Sequence, residues 1–220
     1  MDIGITLQII VLIMSVVVHE VSHGYAAYWL GDPTAKYAGR LNFNPVNHLD
    51  LWGSFIVPIM MMFFTSGAFI FGWAKPVPFN PYNLKNQRYG PAIVGLAGPL
   101  SNLIMAVVAG MLIKTALVFG VVDGIVLQIL AITVFINVLL MVFNMFPIPP
   151  LDGSKLLFAI IPISEHTKMT LERYGFVFLL VFMMFFGEIF GLVVDNVLML
   201  LSNNIIDISL KGFYDLMNNV

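Results

Sequence analysis

Cysteine is absent from this 220-residue chain. Disulfides, thiolate chemistry and cysteine-type zinc sites are excluded, so any metal must be held by histidine and carboxylate. Charge is scarce as well. Asp, Glu, Lys and Arg make up 10% of the residues, where a soluble domain carries about 25%. Hydrophobic residues make up 60% of the chain, and its mean hydropathy is +0.95. These values exclude an ordinary soluble protein and predict an all-α polytopic membrane protein embedded in a lipid bilayer. The net charge is −2, with no basic run and no stacking motif, so no nucleic-acid partner is expected. The N-terminus lacks a basic region and a small-x-small cleavage site. It reads as a retained first span rather than a signal peptide.

A span needs about 20 apolar residues. Candidate segments are 3–30, 52–71, 91–121, 125–146 and 174–201. The apolar run 156–161 is too short to cross, and the mixed tail 202–220 suggests an interfacial helix. Two stretches break the helical pattern: Gly39-Arg40-Leu41-Asn42-Phe43-Asn44-Pro45 and Gly72-Trp73-Ala74-Lys75-Pro76-Val77-Pro78-Phe79. Their alternation and proline content predict short membrane-associated β-strands. Such strands would offer an edge to an extended substrate.

The first span contains His19-Glu20-Val21-Ser22-His23. Histidines four apart on a helix share one face, so both can bind one metal ion, with the glutamate near its open side. Ionisable groups inside a span are costly and mark a functional site by default. A hydrolytic zinc takes three protein ligands and leaves one position for water. Beyond this pair only His48 and His166 remain among histidines, and Asp152 is the better third candidate. It ends Asn144-Met145-Phe146-Pro147-Ile148-Pro149-Pro150-Leu151-Asp152-Gly153, where prolines stop the fourth span.

These two motifs together resemble the site-2 protease family of intramembrane zinc metalloproteases. Ala97-Gly98-Pro99-Leu100-Ser101-Asn102 is similar to that family's third core helix, and the 72–81 stretch resembles a compact prokaryotic branch without a PDZ domain. The resemblance covers about residues 3–160 of what is expected to be one domain, 1–220, with an extra span at 174–201. It implies one Zn²⁺ bound by His19, His23 and Asp152, with Glu20 as general base toward a zinc-bound water. The implied reaction is peptide hydrolysis in or near transmembrane segments of membrane-protein substrates. Asn144 is a candidate donor to an oxyanion or to substrate backbone, an interaction worth about 10²–10³ in rate. Its structural alternative is an interhelical hydrogen bond. The competing function is a non-catalytic zinc-binding membrane protein, either an inactive homologue or a metal transporter.

Sharing a metal constrains topology. Re-entry of 52–71 returns Asp152 to the depth of the histidines; a full crossing makes the site hard to build, the alternative being a tilted crossing with later compensation. Gly53, Pro58 and Gly67 permit a broken segment. With re-entry, eight of the ten basic residues fall on one side, which the positive-inside rule makes cytoplasmic. The expected architecture is a site-2 protease-like bundle of four full spans and one re-entrant segment, with the active site nearer the cytoplasm. His48 reads as a cap or support, His166 as a solvated loop residue and Asn102 as structural. Glu188 and Asp195 share a helix face, lining a wet groove or making interhelical hydrogen bonds.

Overall fold

The computed structural model describes residues 3–64, 72–121, 124–161 and 163–218. Among them four helices are long and apolar enough to cross a membrane: Gly4–Trp29, Gly90–Val118, Gly124–Met145 and Glu165–Ile206. The chain is a multi-pass helical bundle. Its helices are α1 (Ile3–Trp29), α2 (Thr34–Tyr37), α3 (Val57–Phe64), α4 (Gly90–Val118), α5 (Gly124–Met145), α6 (Gly153–Ile160), α7 (Glu165–Leu201) and α8 (Leu210–Asn218).

Local chemistry sets the ends. Pro91 sits in the first turn of α4, where its missing N–H costs nothing. Gly120, at φ +70°, takes the left-handed position that closes α4. Ser164 caps α7 by accepting the Thr167 N–H at 3.2 Å.

Between helices in lipid the apolar effect is weak, so small residues and buried hydrogen bonds hold the contact. On α4, Gly95, Gly98, Asn102, Ala106, Ala109 and Gly110 are buried along one stripe, which brings α1 and α5 close. Away from the histidines, Ala109 and Ile113 of α4 pack with Leu127, Ala131 and Val134 of α5 and Leu198 of α7. Helix α8 closes this end with fully buried Phe213, and Gln128 Nε2 donates to the Met217 carbonyl at 3.1 Å. The tail thus docks on the bundle. Tyr214 donates to Asp195 at 2.7 Å, and burial and that carboxylate push its phenol up to about 12. Asp195 of α7 therefore has an interhelical bond, while Glu188 is exposed.

The opposite end carries the connection between α1 and α4. Asp32 is its hub, accepting from the Thr34 hydroxyl, the Asn80 N–H at 2.6 Å and Asn83 Nδ2 at 2.9 Å. Burial disfavours its charge, but these donors outweigh that and hold its carboxyl below the usual range. After α2 come a 3-10 turn (Pro45–His48), a wide helical turn (Leu51–Ile56) and α3. Trp73 N–H then donates to the Gly53 carbonyl at 3.0 Å, so the chain returns to the place it left. Residues 65–71 of the segment expected to re-enter lie outside the described residues.

The expected β-strands are not found: the described residues contain none. Residues 72–80 form no regular element, and several of their N–H groups go elsewhere. Trp73 donates to Gly53, Lys75 to the His48 carbonyl at 2.9 Å and Val77 to Glu20. Pro76 and Pro78 have no donor, which breaks a ladder before it starts. The other stretch, near 39–43, forms turns leading into Pro45–His48.

Candidate metal centre

The α1 face that meets α4 buries Ser15, His19 and His23. Helical spacing puts both imidazoles on that face, and the turn after α5 brings Asp152 to them across more than a hundred residues of sequence. The His19 and His23 Nε2 atoms are 3.0 Å apart, and each is 3.1 Å from Asp152 Oδ2. Atoms sharing one zinc at about 2.0–2.1 Å can be no more than about 4.2 Å apart, so this triangle fits.

The hydrogen-bond partners show what the three atoms require. His23 Nδ1 lies 2.6 Å from the Val94 carbonyl, which only accepts, so the proton is on Nδ1. His19 Nδ1 lies 2.6 Å from Asn102 Oδ1. Both Nε2 lone pairs and a carboxylate oxygen therefore face one point. Three such atoms within reach of one point could hold a metal ion, and neutral imidazoles with a carboxylate are a zinc donor set.

Lys155 Nζ holds the other oxygen of Asp152 at 2.8 Å, leaving Oδ2 for the centre. Burial disfavours the charge on Asp152. The Lys155 ammonium opposes that penalty and favours the carboxylate. Gly153 follows because a Cβ there would run into the Met145 and Phe146 carbonyls. Gly98 permits the approach of α4: a Cβ there would lie 2.5 Å from His19 Cε1 and from His23 Cε1 and Nε2.

The cluster opens into a cavity of about 600 Å³. Glu20 and Asn144 line it, as do Trp73, Phe79, Phe143 and Phe176. Glu20 Oε2 accepts the Val77 N–H at 2.8 Å, which fixes one carboxylate oxygen and leaves the other free. Asn144 donates one N–H to the Leu140 carbonyl at 3.0 Å. An amide has two such donors, so one remains for a ligand.

His19, Glu20, His23, Asn144 and Asp152 thus meet around one cavity. His48 does not join them: it is buried in its own turn, with Nε2 2.8 Å from the Asn42 carbonyl. His166 is exposed. Sequence reasoning missed the Val77 amide, Lys155 and the clearance at Gly98. Only the Lys155 spacing, one helical turn after Asp152, was a usable signal.

The family profile described as "Peptidase family M50" matches residues 119–186, which include α5 and the Asp152 turn. Over 183 residues the chain is 38% identical to "Putative zinc metalloprotease YwhC" of Bacillus subtilis, covering 79% of this chain and 78% of that protein. The chain belongs to peptidase family M50. Rip2 of Mycobacterium tuberculosis, which carries the same description, is 27% identical over 82% of this chain and 70% of its own length. No solved structure matches the chain. Family membership and four apolar helices together make this a multi-pass integral membrane protein.

Proposed function

We infer that the chain is an intramembrane zinc endopeptidase, hydrolysing peptide bonds in or near transmembrane segments of membrane proteins. The observation that carries this reading is three converging acceptors beside a carboxylate, in a mostly apolar-walled cavity among spanning helices. Zinc, when bound, supplies a Lewis acid and makes its water acidic. His19, His23 and Asp152 hold the ion. Glu20 takes the proton with its free oxygen and passes it to the leaving amine. Asn144 offers its spare N–H to the substrate carbonyl or backbone. The apolar walls suit apolar side chains, and Trp73, Ala74, Val77 and Phe79 line the cavity beside Glu20.

Purified protein in detergent should hold one zinc and cleave a model transmembrane peptide. A chelator should stop cleavage, and added zinc should restore it. Stoichiometric zinc without cleavage across varied peptides would favour the non-catalytic zinc protein instead.

The same reading places the site near the cytoplasm, with 52–71 re-entrant. Its support is the Gly53–Trp73 return and the clustering of basic residues. Because cysteine is absent, single cysteines report topology directly. Tyr37→Cys and Gln87→Cys should react with an impermeant thiol reagent only from the cytoplasmic side, and Val121→Cys only from the other. Labelling of Tyr37→Cys and Gln87→Cys from opposite sides would mean a full crossing.

A further inference from the structure

His19 can ligate through Nε2 only with its proton on Nδ1, and a free imidazole populates both tautomers. His23 is settled by a backbone carbonyl that can only accept. His19 faces a side-chain amide instead, and Asn102 can present either its oxygen or its NH₂. Something else must choose.

The choice can be traced along buried hydrogen bonds. Asn137 Nδ2 lies 2.8 Å from the Thr133 carbonyl, one turn back on α5, which can only accept. It also donates to Ser15 Oγ at 2.9 Å. Asn137 must therefore turn Oδ1 toward Asn102, where it accepts from Nδ2 at 2.7 Å. That forces Asn102 Oδ1 toward His19 Nδ1. Ser15, Asn102 and Asn137 are all fully buried, so water cannot substitute.

We propose that Asn137 is a positioning residue for the metal centre: anchored on the Thr133 carbonyl, it orients the Asn102 amide and so fixes His19 as the Nδ1–H tautomer. It does this without touching the histidine. Without Asn137, Asn102 is free to flip and offer NH₂ to Nδ1, which moves the imidazole proton to Nε2 and blocks ligation. The inference rests on reading His19 as a zinc ligand.

The test is zinc affinity, measured by competition with a chromophoric chelator at fixed pH on the purified chain. Asn137→Leu should weaken zinc binding about 10–100-fold, as loss of ligand support does elsewhere. A carboxylate at position 102 has no N–H to present, so flipping no longer matters. Adding Asn137→Leu to Asn102→Asp should therefore change affinity by no more than about twofold, the scatter of independent sites. A merely structural Asn137 would cost the same in both backgrounds, and that result overturns the proposal. Asn137→Asp fits the space and, as the neutral acid that full burial favours, gives an O–H to the Thr133 carbonyl while keeping an acceptor for the Asn102 amide. Its affinity should stay near the parent's, and a tenfold loss would overturn the proposal even if Asn137→Leu did not fold. A parent chain that binds no zinc would overturn the metal reading itself; equal losses with a zinc-binding parent overturn only the role of Asn137.

Discussion

Glu20→Gln is expected to keep zinc and lose peptide cleavage, by about 10²–10⁴-fold for removal of a positioned general base. The substitution is nearly isosteric, and the glutamine carbonyl can still accept the Val77 N–H that Glu20 Oε2 accepts at 2.8 Å. The 72–80 segment should stay in place, so the loss would report proton transfer and not collapse of the cavity. Glu20→Ala would remove both roles and cannot separate them. Zinc content by atomic absorption, beside cleavage of a transmembrane peptide, is the measurement. Cleavage near the parental rate by purified Glu20→Gln would remove this carboxylate from the mechanism.

Gly98→Ala should be nearly as damaging, although it adds one methyl group to a helix. That carbon would lie 2.5 Å from atoms of both imidazoles. Neither ring can simply move aside. His19 is bonded to Asn102 and His23 to the Val94 carbonyl, and both partners are on α4 with Gly98 itself. Moving α4 away pulls the acceptors along, so the strain falls on the two Nε2 positions. Alanine's better helix propensity, about 1 kcal/mol, does not relieve this clash. Zinc affinity and cleavage should fall together by on the order of 10²-fold, as expected for ligand displacement near 1 Å, with helix content by circular dichroism unchanged. Gly187→Ala on α7 is the control, since a Cβ there meets nothing within 4 Å. Equal damage from both would show that helical glycines matter here for some reason other than clearance.

The sequence read well where one residue type has one physical consequence. The spans followed from long apolar runs, and expected ends fell close to the observed ones for α1, α4 and α5. For α7 the helix begins at Glu165, nine residues before the expected span, because polar residues extend a helix beyond any apolar window. The β-strands failed for a related reason. Alternation and proline identify extended chain, but a strand also needs a partner, and here Gly53, His48 and Glu20 took the donors. Asn102 was read as structural; it is fully buried and hydrogen-bonded to His19. A lone asparagine on an apolar helix carries no sign of which atom it will meet.

By itself the sequence determined a membrane-embedded helical chain, a histidine pair on one helix face and an aspartate ending a later span. Each follows from local rules: hydropathy, helical period and proline stops. Only the tertiary structure decided that the aspartate oxygen lies 3.1 Å from both imidazoles, that Gly98 lets α4 approach, and that Val77 holds the carboxylate beside them. Distances between residues far apart in the chain depend on how helices pack, and packing depends on surfaces from every element at once. Tautomers and hydrogen-bond directions come later still, because they are fixed only when backbone carbonyls such as those of Thr133 and Val94 are in position.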